Sequence, residues 1–155
     1  RHPERFNEVV ELCSARFATC RRSSGTAPEP TTRVVVGDTM GEMMLLYGCA
    51  DIAFVGGSLI ERGGHNMIEP ACWGLPILCG PHTFNFADIS KRLEECGGMV
   101  TATDALTLAQ HVNDWLQHPA KRQQVGKQAQ QFAEQNRGAV ERVMVMVREY
   151  LPSDV

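Results

Sequence analysis

Four short runs, residues 34–36, 51–55, 76–79 and 99–101, are almost wholly apolar, and each is followed by a stretch with helical spacing. A strand with one wet face alternates apolar and polar side chains. These runs do not alternate, so both of their faces are predicted to be covered, the condition of a parallel sheet packed between helices. Strand followed by helix, repeated, makes βα units and predicts an α/β fold with a Rossmann-like, doubly wound parallel sheet. The stretch 20–30, with Ser23-Ser24-Gly25 and two prolines, reads as an exposed connection.

In the last third, Leu106, Ala109, Val112 and Leu116, then Val125, Ala129, Phe132 and Ala133, keep helical spacing, with Pro119 where a second helix would begin. Two antiparallel helices are predicted. A third apolar stripe, Val140, Val143, Met144, Val147 and Leu151, follows Gly138 and ends before Pro152, and is expected to pack back on the domain as a helical C-terminal tail. A chain of 155 residues, 43% hydrophobic, suits one domain over residues 1–155. Its opening, Arg1-His2-Pro3-Glu4-Arg5, reads as a loop leading into a helix and is taken as the start of a fragment.

Several function classes fall away. A net charge of −3 supplies no field to hold a polyanion, so no nucleic-acid partner is expected. The apolar runs fall far short of the ~20 residues that span a bilayer. The six cysteines, Cys13, Cys20, Cys49, Cys72, Cys79 and Cys96, have no CxxC spacing and are read as reduced core thiols. Neither Gly-Lys-Ser/Thr nor GxGxxG occurs, and Ser58 in Gly56-Gly57-Ser58-Leu59-Ile60 does not fit GxSxG. His65 and His82 find no third ligand at metal-binding spacing, so no metal is expected.

In an open parallel sheet, ligands bind outside the carboxyl ends of the strands. Three loops there are rich in glycine: Gly37-Asp38-Thr39-Met40-Gly41-Glu42, Gly56-Gly57-Ser58, and Arg62-Gly63-Gly64-His65-Asn66, which opens a helix through Met67-Ile68-Glu69-Pro70. Thr39 with Glu42, and Asn66 with Glu69, have capping-box spacing. Adjacent glycines before Asn66 remove side chains where something must approach the backbone, and a phosphate is the natural occupant. Free amides of Met67 and Ile68, with the helix dipole, would hold it without a lysine, and Glu69 would accept from ribose hydroxyls. His82, Thr83 and Asn85, beside Phe84 and Phe86, form a candidate sugar cradle or an ordinary turn and staple before a helix at Ala87.

Arg1-His2-Pro3-Glu4-Arg5-Phe6, Val35-Val36-Gly37-Asp38-Thr39-Met40-Gly41-Glu42, Gly63-Gly64-His65-Asn66-Met67-Ile68-Glu69-Pro70 and Gly80-Pro81-His82-Thr83-Phe84-Asn85-Phe86 together resemble the 3-deoxy-D-manno-octulosonic acid (Kdo) transferases. The likeness runs in order from Arg1 to about Thr101. It implies the C-terminal, donor-binding half of a GT-B glycosyltransferase, which moves Kdo from CMP-Kdo to the lipid A precursor in lipopolysaccharide synthesis at the cytoplasmic face of the bacterial inner membrane. An N-terminal domain with the acceptor surface, a catalytic glutamate and the membrane anchor is then absent from this chain, so that no catalytic residue lies in it.

The CMP contacts implied by the resemblance are Arg1, the turn Met40-Gly41-Glu42 and the helix start Asn66-Met67-Ile68-Glu69. The Met40 to Glu42 backbone is expected to read cytosine edges. Met67 stands where the family pattern often has proline, which carries no amide, so a Met67 donor is no family-wide requirement. The resemblance implies inverting transfer without a metal or other cofactor, the leaving phosphate being stabilised by amides and dipole. The alternatives are another GT-B transferase, a UDP-sugar epimerase, or a non-catalytic nucleotide-binding module.

Overall fold

The computed structural model describes residues 3–138 and 143–147. The chain divides into two compact units, Arg1–Cys49 and Ala50–Val155. The first holds α1 (Phe6–Ser14), β1 (Thr19–Arg21), β2 (Val34–Val36) and α2 (Met43–Gly48). Its two strands pair in parallel, with Thr19 opposite Val34 and Arg21 opposite Val36. Residues Cys20 and Arg21, predicted as part of a connection, are therefore strand. The turn signals that suggested a loop begin one residue later, in the 3-10 turn Arg22–Ser24, closed by Gly25 in the left-handed conformation.

The second unit runs β3 (Ala53–Phe54), α3 (Ile68–Cys72), β4 (Ile77–Cys79), α4 (Ala87–Glu95), β5 (Met99–Thr101), α5 (Ala105–Gln117) and α6 (Pro119–Gln135). Its sheet has the order β3-β4-β5 and is parallel throughout. In the central strand, Ile77 and Cys79 belong to the main core cluster, while Leu78 points to the opposite face and is equally buried. Burial of both faces of one strand is what its unbroken apolar sequence predicts. The α/β fold with parallel sheets thus follows the sequence expectation, with the strands of β3 and β4 shorter than the apolar runs that contain them.

Helix α6 seals the core through small residues. Gly126, Ala129, Phe132 and Ala133 form its buried face. A Cβ on Gly126 would lie 2.0 Å from the carbonyl oxygen of Gly74, and one on Gly98 would lie 2.7 Å from the Ala129 backbone. Helix and chain touch backbone to backbone at these points, a contact that only glycine permits. In α5 the inward side is set by Trp115, 1% exposed, whereas Leu106 and Leu116 of the predicted stripe are 69% and 52% exposed. The helix starts on Asp104, whose carboxylate accepts the Thr107 amide in a capping box, and the large indole wins the core over two leucines.

The cysteines are free. Only Cys79 is a core thiol, pushed up to about 12 by burial and then by the Glu94 charge, while Cys49 and Cys72 are exposed. In the predicted C-terminal tail, residues 143–147 are helical but exposed, so they do not pack back on the domain. Val140 and Leu151 lie outside the described residues.

Replacing Gly126 by alanine tests the α6 contact. Because the obstacle is a backbone carbonyl, the expected loss of stability is about 2–3 kcal/mol, the upper range of an overpacked core. Chemical denaturation would measure it, and an unchanged midpoint would show that α6 does not approach Gly74 so closely.

Candidate functional site

In the first unit, the loop after β2 is tied down by a small polar network. Asp38 accepts from the Ser23 amide at 2.8 Å and the Ser23 hydroxyl at 2.6 Å, with Arg21 3.7 Å away. The Ser23 hydroxyl, then its amide, hold the Asp38 carboxyl below the usual carboxylate range. The stabilisation from a carboxyl lowered in this way is complete above that range and is lost as pH falls through the lowered value. Glu42 accepts from Arg22 at 2.9 Å and from the Thr39 hydroxyl.

That pairing replaces the expected capping box. Helix α2 begins at Met43, and Glu42 itself occupies the cap position with no side-chain cap bond. Its carboxylate turns outward to the Arg22 cation, which offers more than a single backbone amide. Between the anchors, Met40 is 62% exposed. Gly41 has φ +83° and open space where a Cβ would stand. The amides and carbonyls of Met40 and Gly41 have no hydrogen-bond partner among the described residues. This is backbone held still at both ends and free to pair in the middle.

In the second unit, the loops at the carboxyl ends of β3 and β4 are joined by a buried serine. The Ser58 hydroxyl donates to the Val55 carbonyl at 2.5 Å and accepts from the Gly80 amide at 2.8 Å. The His82 amide donates to the Ser58 carbonyl at 2.9 Å. A Cβ on Gly80 would sit 2.2 Å from the Ser58 carbonyl oxygen, so glycine is required there. The 62–66 loop is stitched to both neighbours: the Gly64 amide donates to Gly57, the Asn85 amide to Gly63, and the Asn85 side chain to Arg62.

These contacts correct the reading of the glycine pair. Gly63 has φ +82°, and a Cβ there would lie 2.3 Å from the Asn85 side chain; Gly64 has φ +73°. The space at Gly63 is used by the chain's own Asn85 and Phe84, and Gly64 is called for by its backbone conformation. Of the two amides expected to be free at the next helix, that of Met67 has no acceptor among the described residues, whereas that of Ile68 is spoken for. Asn66 Oδ1 accepts the Ile68 amide at 3.0 Å, and its Nδ2 donates to Glu69 at 3.1 Å. Asparagine thus caps two residues on rather than three, because its short side chain folds back in an Asx turn. Met67 is wholly buried in the core, and α3 spans only five residues, too few for a strong dipole.

Glu69 is partly exposed, and its second carboxylate oxygen has no partner among the described residues. Asn66 to Glu69 therefore form one cluster in the second unit, while Met40 to Glu42 belong to the first. Arg1 lies outside the described residues. Of the candidate sugar cradle, Thr83 is bonded to Ser90 and Asn85 to Arg62, so their polar groups serve the fold. Ser58, which the sequence offered only as a failed nucleophile, is the residue that organises this edge. Its one legible signal was a hydroxyl in the glycine-rich loop that follows an apolar strand.

A family model described as glycosyl transferases group 1 matches residues 23–132. The 3-deoxy-D-manno-octulosonic acid transferase of Haemophilus influenzae is 42% identical over the whole chain and 37% of its own length. That of Bordetella pertussis is 39% identical over 97% of the chain and 36% of its own. The chain thus spans little more than a third of these relatives. Among solved structures, the C-terminal CMP-Kdo binding domain of WaaA from Acinetobacter baumannii superposes with a TM-score of 0.81 at 38% identity, covering 84% of this chain and 69% of that one.

Truncating Ser58 to alanine removes both bonds that join the β3 and β4 loops. It leaves the Gly80 amide and the Val55 carbonyl without that partner, at an expected cost of about 1–3 kcal/mol. Thermal unfolding would read the loss, and wild-type stability in Ser58→Ala would contradict the role given to the hydroxyl.

Proposed function

The chain belongs to the glycosyl transferases group 1 family, and from that membership we propose that it is the donor-binding domain of an enzyme transferring Kdo from CMP-Kdo to the lipid A precursor. The observation that carries this reading is the likeness, in fold and sequence together, to a domain described as binding CMP-Kdo. The relatives named for the same transfer support it along the whole chain.

Each unit by itself offers groups suited to CMP. Met40 and Gly41 offer unpaired amides and carbonyls, the groups needed to read the edge of a cytosine, with Glu42 fixed behind them by Arg22. Asn66, Met67, Ile68 and Glu69 form the second cluster: Glu69 would take the ribose hydroxyls through its free carboxylate oxygen, a charge-assisted bond. Met67 would act through its amide, which has no acceptor among the described residues, while its side chain is buried in the core; Ile68 reaches a ligand through its amide only when Asn66 turns away. Arg1 is the cation proposed for the phosphate. Charge growing on the departing CMP is then stabilised by fixed amides and this arginine, with no metal.

Among the described residues, no helix is long and apolar enough to cross a membrane. We place the acceptor surface, the catalytic base and the membrane anchor in a preceding domain of the parent protein, which would work at the cytoplasmic face of the inner membrane. Catalysis by two facing halves is a matter of positioning both substrates for one in-line attack.

Calorimetric titration with CMP, UMP and AMP tests the donor assignment, and CMP should bind most tightly. Equal affinities, or preference for UMP, would contradict a CMP-sugar donor. Glu69→Gln should weaken CMP binding by about 1–3 kcal/mol with a smaller effect on stability. A lowered melting temperature with unchanged CMP affinity would mean that Glu69 serves only its bond to Asn66.

A further inference from the structure

The glycines at the carboxyl edge of the second unit's sheet have different reasons for being glycine. Gly57, Gly63 and Gly64 have φ of +71°, +82° and +73°, which side chains rarely adopt, and Gly80 meets the Ser58 carbonyl. Gly56 has neither reason. Its φ is not positive, and a Cβ built on it would meet nothing within 4 Å. Among the described residues, nothing in packing or conformation calls for glycine at this position.

Gly56 also sits where a ligand would arrive. It lies two residues past the end of β3, at the edge where strands of a parallel sheet present their binding loops. The amides of Gly56 and Gly57 have no acceptor among the described residues, and both glycines are partly exposed. The turn is held rigid from behind, because the Ser58 hydroxyl rather than its amide closes onto Val55 and also binds Gly80. His65 stands beside it: a Cβ on Gly57 would lie 3.5 Å from His65 Nε2. Successive free amides around a left-handed glycine form a concavity that favours an anion.

We propose that the Gly56-Gly57 turn is an oxyanion subsite, taking a charged group of the donor on two backbone amides in space that a side chain at position 56 would fill. This rests on the reading of the chain as a donor-binding domain, and it adds a contact to that site. A CMP-linked acidic sugar carries two such groups, the phosphate and the sugar carboxylate.

Gly56→Ala and Gly56→Val should fold as the wild type does, since the backbone there is accessible to any residue. Titration of the wild type and both variants with CMP, cytidine and CMP-Kdo separates the two sources. If the turn holds the phosphate, Gly56→Val weakens CMP and CMP-Kdo at least tenfold and leaves cytidine unchanged. If it holds the carboxylate, CMP-Kdo alone weakens at least tenfold.

Unchanged binding of all three ligands by a folded Gly56→Val would overturn the subsite, as would equal weakening of cytidine and CMP. A large drop in melting temperature in both variants would also overturn it, by giving Gly56 a structural reason. A wild-type chain that prefers UMP would refute the CMP reading alone, and the same variants titrated with UMP and uridine would then decide the subsite. A wild type that binds no nucleotide would refute both.

Discussion

One buried hydroxyl holds the ligand-facing edge of the second unit together. Ser58 donates to Val55 and accepts from Gly80, so a single side chain closes the turn after β3 and fixes the start of the loop after β4. Both partners are backbone groups in or beside the core, where an unmade hydrogen bond is costly. The 62–66 loop then attaches to both through Gly57 and Asn85. Rigid loops matter here because a nucleotide bound by backbone amides gains from donors that are already in place.

Much of this architecture was legible. The strands at 34–36 and 99–101 begin and end where the apolar pattern puts them, and a helix begins at Ala87 as the turn residues before it suggest. β1 was hidden because Thr19, Cys20 and Arg21 carry no apolar run, and the strand exists only by pairing with β2. In α5, spacing alone could not tell which of several apolar residues faced inward, and the bulk of Trp115 decided it.

The site was harder to read than the fold. Spacing proposed capping boxes at Thr39-Glu42 and Asn66-Glu69, but Arg22 pairs with Glu42, and the Asn66 side chain takes the Ile68 amide in an Asx turn instead of that of Glu69. Sequence shows that such residues can pair; which partner wins depends on a neighbour 20 residues away in the first case and on local backbone geometry in the second. The same limit applied to glycine. Gly63 and Gly64 looked like room for a ligand, but Gly63 makes room for Asn85 and Phe84 and Gly64 has a positive φ, whereas Gly56 received no separate attention and is the one glycine of that edge without an explanation among the described residues.

The nucleotide-binding account stands on the glycine-rich carboxyl edge, and residue-by-residue amide shifts during titration with CMP would test it most directly. The account predicts saturable shifts at Gly41, Gly56, Gly57 and Glu69, with Asp51 and Arg122, paired at 3.2 Å near the start of β3, unaffected. Shifts confined to Asp51, Arg122 and their neighbours would contradict it.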